Sequence, residues 1–172
     1  MNITLVRRIT KNAIMLALLC VIGMFSIPFG DNVKVSLQLL MVFIIGLTAT
    51  TVFDGLIVTG LYLVLGLFMP IYAGFNIGVS PTFGFVVSFV VIIIPLYFLN
   101  KLKIKNQFIR IGLACLVALI ISYFFGWLFM TIYLRLSMEK ALLVAVVPYI
   151  PFDIAKIIIA TLVVSLLPKK SS

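Results

Sequence analysis

From Thr82 to Leu99 the chain runs for 18 positions without a charged side chain. An uncharged apolar run of about that length is what a helix needs to cross roughly 30 Å of hydrocarbon, which takes about 20 residues. Similar runs recur along the sequence, so that the 172 residues are 65% hydrophobic and 10% charged, with a mean hydropathy of +1.37. Soluble domains are about half apolar and about a quarter charged. These proportions require an integral membrane protein, with room for about six spans and no sizeable soluble domain beside them. The expectation is an all-α membrane protein: a single domain over residues 1–172, with six transmembrane helices in one bundle.

Turn signals between the apolar runs place the helices at about Ala13 to Ile27, Leu37 to Thr51, Leu56 to Phe68, Thr82 to Leu99, Ile111 to Leu134 and Pro151 to Leu167. Pro28-Phe-Gly-Asp-Asn32 reads as a turn. Asp54-Gly55 divides an apolar stretch too long for one helix, which makes Asp54 a turn residue. Met69-Pro-Ile-Tyr-Ala-Gly-Phe-Asn-Ile-Gly-Val-Ser-Pro81, with two prolines and two glycines, reads as an irregular loop. A short amphipathic or apolar piece follows Arg135-Leu-Ser-Met-Glu-Lys140, and Pro151 opens the last helix, since proline is well tolerated at the first helical position. The first apolar run is read as a retained helix, because no small-residue cleavage site and soluble region follow it.

Net charge is +9, which in a soluble protein would suggest nucleic acid. Here the basic residues sit at the ends of apolar runs, so the lipid bilayer and its headgroups are the partner they imply, and no nucleic acid is expected. With six helices, Arg7, Arg8, Lys11, Lys101, Lys103, Lys105, Arg110, Lys169 and Lys170 fall on one side, against Lys34, Arg135, Lys140 and Lys156 on the other. The positive-inside rule then puts both termini in the cytoplasm. The loops after the first, third and fifth helices face outward together. They hold Asp31, placed in solvent, Asn76 and the approach to Asp153.

Asp153 and Lys156 are set into the apolar run Val147-Pro-Tyr-Ile-Pro-Phe-Asp-Ile-Ala-Lys-Ile-Ile-Ile159. Three residues along a helix turn about 300°, which puts the two on nearly one face and within pairing distance. One reading is structural: an acid favoured by the helix dipole, with a lysine that pairs or snorkels. The other is a ligand site, because charged groups inside a membrane face a bundle interior or cavity and are functional by default. An acceptor and a donor side by side suit a small polar ligand with an acidic group and hydrogen-bonding amides. Gln38 at the outer end of the second helix is either an interhelical hydrogen bond or a ligand contact. Asn76 is a turn asparagine or a contact. Tyr72, Phe75 and Tyr149 form an aromatic belt or wall a pocket. Ala13 and Ala17 give the first helix a small-xxx-small face that another helix can approach closely.

Enzymatic chemistry finds no support in these residues. There is no histidine, so imidazole acid–base chemistry and histidine metal ligands are absent. No Gly-x-Ser-x-Gly elbow and no Gly-x-x-x-x-Gly-Lys-Ser/Thr phosphate loop occurs. Cys20 and Cys115 lie in apolar segments, fit no pairing or metal motif and read as small core residues. No catalytic residue, metal or cofactor is expected.

Val33-Lys-Val-Ser-Leu-Gln38, Gly66-Leu-Phe-Met-Pro70, Ser80-Pro-Thr-Phe-Gly-Phe85 and Val147-Pro-Tyr-Ile-Pro-Phe-Asp-Ile-Ala-Lys156 resemble, in order and spacing, segments of the BioY family. These are the biotin-binding S components of energy-coupling factor (ECF) transporters, and the likeness runs from Ala13 to Leu167. The resemblance implies a subunit of a bacterial cell membrane that captures a vitamin in a pocket near the outer face. It implies that Pro151, Asp153 and Lys156 bear on biotin, with Asn76, Gln38 and Tyr149 in the same region. It further implies that Ala13 and Ala17 dock on a transmembrane coupling (T) protein, driven by two cytosolic ATPases that use the ATP. No arginine follows Phe85, where the family pattern can supply one for the ligand carboxylate, so lipoate or another small carboxylate vitamin stays an alternative ligand. A structural membrane protein without transport function is the alternative of a different class.

Overall fold

The computed structural model describes residues 3–29 and 33–167. Asp31, Lys169 and Lys170 lie outside the described residues. The order is α1 (Ile3–Met24), β1 (Ser26–Phe29), β2 (Val33–Ser36), α2 (Gln38–Thr48), α3 (Val52–Gly66), α4 (Phe83–Leu99), α5 (Gln107–Leu134), α6 (Met138–Ala145), a 3-10 turn (Val147–Tyr149) and α7 (Ile150–Leu166). Among the described residues, six longer helices and one short one make an all-α protein, as its composition requires. α4 packs most extensively on α5 and also against α2 and α3, and α7 closes against α2 and α5.

Several helix boundaries differ from expectation, and α2 for one ends at Thr48 rather than Thr51. α1 ends at Met24, and β1 and β2 pair as antiparallel strands, Ser26 with Ser36 and Phe29 with Val33; of the segment read as a turn at 28–32, Pro28 and Phe29 belong to β1 and the other three lie outside the described residues. Val33-Lys-Val-Ser36 alternates apolar and polar residues, as a half-buried strand does. At its other end α1 starts at Ile3, so Arg7, Arg8 and Lys11 lie inside the helix rather than ahead of it. α3 begins at Val52, and Asp54 is its third residue and not a turn residue. The Thr51 hydroxyl accepts from the Asp54 N–H at 3.3 Å while the Asp54 carboxylate accepts from the Thr51 N–H at 2.9 Å, a reciprocal capping box. α5 starts at Gln107 because the Asn106 side chain accepts from the N–H groups of Phe108 and Ile109, at 3.0 and 3.4 Å.

The core is apolar and so is much of the outside. Leu19, Val42, Phe43, Ile92, Ile93, Leu96 and Ile111 are buried at the centre. Outward stripes run along the helices at three- and four-residue spacing: Ile14, Leu18 and Val21 on α1, Ile57, Leu61 and Val64 on α3, Ile120, Phe124 and Leu128 on α5, Ile154, Ile158 and Leu162 on α7. Helices apolar on both faces belong in lipid, because an aqueous surface does not tolerate continuous apolar patches of this extent. α5 and the continuous helical run of α6, the 3-10 turn and α7 (Met138–Leu166) are each long and apolar enough to cross a membrane, whereas α2, α3 and α4 are shorter apolar helices. α2 has 11 residues and rises only about 16 Å, roughly half of the hydrocarbon thickness.

The two ends of the bundle are distinct. At one end Arg8 reaches Thr51 and Asp54, Lys11 donates to the Thr48 carbonyl, and the Asn100 amide donates to the Leu47 carbonyl at 2.9 Å. The start of α1, the α2–α3 turn and the α4–α5 connection therefore meet there, which is where the basic residues gather. The β1–β2 pair, residues 67–82 and the α6–α7 junction meet at the other end.

Candidate ligand-binding site

Those three connections enclose a cavity of about 190 Å³. Each contributes for a reason legible in its own backbone. Ser36 ends β2 and Gln38 begins α2, so two polar side chains fall at a strand-to-helix junction. Residues 69–81 turn sharply on Gly74 and Gly78, at φ of 74° and 71°, values glycine adopts without a Cβ clash. Their shape is held by the Tyr72 N–H donating to the Asn76 carbonyl at 3.2 Å and by the Asn76 amide donating to the Ala73 carbonyl at 2.8 Å. The 3-10 turn brings Tyr149, and the first two turns of α7 bring Asp153 and Lys156. Phe85, Val86 and Phe89 of α4 form the apolar wall.

All five side chains singled out for ligand contact, Gln38, Asn76, Tyr149, Asp153 and Lys156, line this one cavity. Asp153 and Lys156 are buried, at 4% and 6% exposure. The Lys156 ammonium donates to Asp153 Oδ1 at 2.7 Å, the i,i+3 pairing that the helical spacing predicts. Desolvating two such charges costs more than an isolated pair returns unless further hydrogen bonds complete it. One comes from α5, where the Tyr123 hydroxyl donates to Asp153 Oδ2 at 2.7 Å. Asp153 also lies in the first turn of α7, where the helix dipole favours a carboxylate.

Gln38 makes the interhelical bond that its position suggests, and lines the cavity too. Its amide nitrogen donates to the Tyr62 hydroxyl of α3, and its Oε1 accepts from Ser36 Oγ at 3.3 Å. Tyr72, read as a belt residue or a pocket wall, is 3% exposed, lines the cavity and donates to the Leu63 carbonyl at 2.6 Å. Its ring lies where a Cβ on Gly66 would come within 2.0 Å, so only glycine at 66 lets it fold inward to the cavity. Phe75 is exposed and meets Phe25 edge to face, with ring centroids 6.1 Å apart. Ala13 and Ala17 face outward on α1, away from the cavity.

Tyr123, Ser122 and Ser36 went unmarked in the sequence reading. Ser122 and Ser36 line the cavity, and Tyr123 backs it through Asp153. The available signal was Ser122-Tyr123, two adjacent polar groups in the middle of an apolar span, where hydroxyls need partners.

The model of the BioY family matches residues 1–172. The chain belongs to the BioY family. A biotin transporter BioY of Thermotoga maritima is 31% identical over 168 residues, which is 95% of this chain and 96% of that protein. The crystal structure of the S-component for biotin from an ECF-type ABC transporter superposes with a TM-score of 0.85 at 26% identity, covering all of this chain and 96% of that one. Family membership and this likeness make the chain a membrane protein with the all-helical S-component fold.

Proposed function

We propose that this chain is the substrate-binding S component of an ECF-type vitamin uptake transporter in a bacterial cell membrane, and that it captures biotin in the cavity around Asp153 and Lys156. The observation that carries the reading is the buried Lys156–Asp153 pair on the cavity wall, in a BioY-family chain whose relatives are a biotin transporter and an S component for biotin. A ureido ring offers one carbonyl acceptor and two N–H donors. The Lys156 ammonium supplies donors to the carbonyl, and the Asp153 carboxylate and the Gln38 carbonyl supply acceptors to the N–H groups. A desolvated site that meets all of these needs rejects ligands that leave one of its groups unpaired.

In this reading the cavity opens to the outer face, because the positive-inside rule places the basic end of the bundle in the cytoplasm. Asn76 and Tyr149 cover the ligand from residues 69–81 and from the 3-10 turn. Ala13 and Ala17 dock on a transmembrane coupling (T) protein, and two cytosolic ATPases spend the ATP. The chain is a transport component that does no chemistry of its own and carries no metal or cofactor.

Calorimetric titration of the purified protein with biotin and with lipoate tests the ligand. Heat from biotin and none from lipoate is the expected result. Binding of lipoate alone would keep the transport role and change the substrate, and silence from both would overturn the reading. Replacing Ala13 and Ala17 together by Trp should abolish uptake in cells that carry the coupling module, yet leave biotin binding by the isolated protein intact.

A further inference from the structure

One hydrogen-bond chain runs from the cavity wall into the bundle, and its proton directions are determined. Tyr62 is wholly buried and does not line the cavity. Its hydroxyl donates to the Ile71 carbonyl at 2.9 Å, an acceptor that has no proton to give. A phenol has one proton, so toward Gln38 the Tyr62 oxygen can only accept. The Gln38 group facing it must therefore be the amide nitrogen, and the Gln38 carbonyl oxygen must turn the other way, toward Ser36, which donates to it at 3.3 Å on the cavity wall. An amide oxygen has two acceptor positions, and Ser36 takes one. Room for this joint is provided by α1, because a Cβ on Gly23 would lie 2.5 Å from the Tyr62 hydroxyl and 3.1 Å from the Ile71 carbonyl.

We infer that Tyr62 is a specificity-determining positioning residue: by fixing the flip of the Gln38 amide, it makes that wall of the cavity a hydrogen-bond acceptor, which selects a ligand with a ring N–H. The inference rests on the proposed biotin site and assigns the part of it that reads the donor side of the ureido ring. Without the Tyr62 hydroxyl the Gln38 amide is free to rotate by half a turn, and it then offers N–H groups as readily as an oxygen. Selectivity for a ligand donor is lost at that point even though the Gln38 side chain is still there.

The test is calorimetric titration of the full-length protein with biotin and with its two cyclic carbamate analogues, in which one ureido N–H or the other is replaced by ring oxygen. This change removes a donor without adding bulk. Wild type should prefer biotin over one of the two isomers by about a hundredfold. In Tyr62→Phe that preference should shrink by about tenfold, because the rotated amide can donate to the ring oxygen. A role limited to packing would lower stability or affinity for all three ligands alike, so an unchanged preference in Tyr62→Phe overturns the inference. Should that variant fail to fold, Gln38→Leu carries the test: the same preference must fall, and an undiminished one overturns the inference. Failure of wild type to bind biotin overturns the functional reading and this inference with it, whereas biotin binding with an unchanged preference overturns the inference alone.

Discussion

Two carboxylates sit at opposite ends of the bundle, each about 95% buried and each paired with a cation, yet their surroundings differ in kind. Asp54, at 5% exposure, receives Arg8 on both oxygens at 3.0 Å, the Asn12 amide at 2.9 Å, and the Thr51 N–H and hydroxyl at 2.9 Å each. A carboxylate has about four acceptor sites, so the protein itself fills Asp54. The void next to it is about 10 Å³. Asp153 receives two donors, from Lys156 and Tyr123, and borders a cavity of about 190 Å³. A buried ion pair alone therefore does not mark a binding site. What separates the two carboxylates is acceptor capacity left beside space of molecular size.

The comparison is broken most directly at Asp153. Asp153→Ala should weaken biotin binding by about a hundredfold or more, since it removes an acceptor and leaves the Lys156 ammonium without its partner in a desolvated place. Calorimetry that finds the variant within about threefold of wild type would make the two carboxylates equivalent, both structural. Tyr123→Phe sharpens the point with a smaller change. It deletes one hydroxyl, keeps the ring and leaves Asp153 held by Lys156 alone, so affinity should fall by about tenfold, near the net worth of one hydrogen bond to a charged group. An unaltered titration curve would mean that the α7 turn alone orients the carboxylate.

The same pair of residues shows what could be read in the sequence. Asp153 and Lys156 are three apart, and helical geometry makes their pairing visible from spacing alone. The partners of Asp54 include Arg8, 46 positions away, and no local rule joins them, which is why Asp54 read as a turn residue. Helix number followed from apolar runs of lipid-spanning length, and it holds for the long elements. The strand pair was missed because β1 and β2 have four residues each, too few for period-two alternation to stand out against long apolar runs. Tyr123 was missed because nothing in its own segment needs it, and its role exists only once α5 and α7 pack. That Gln38, Asn76 and Tyr149 surround one cavity is likewise a fact of packing, although each polar residue was conspicuous in its apolar setting.

The smaller expected effects probe the edges of the comparison. Asn76 lines the cavity, but it is exposed and its amide is already bonded to Ala73 in its own loop. Asn76→Ala should therefore weaken biotin binding only about threefold, an exposed hydrogen bond being worth little net, and a hundredfold loss in the same titration would move the centre of the site from α7 to the loop.

Asp54→Ala should have the least effect on binding and a distinct effect on stability. It removes the capping box of α3 and deprives Asn12 and Arg8 of their acceptor, a loss of roughly 2–3 kcal/mol from a lost cap and unpaired donors. The Arg8 side chain is 41% exposed and can turn to water or headgroups, which limits its share. The thermal unfolding midpoint in detergent should accordingly fall by several degrees. Biotin affinity should stay within about twofold, because α3 spans 15 residues, or roughly 22 Å, between this cluster and the cavity, and sites that far apart without shared partners act independently. If Asp54→Ala instead lowers affinity as much as Asp153→Ala while the protein stays folded, the ends are coupled through α1 and α3, and a full set of protein donors no longer identifies a carboxylate that only holds the bundle together.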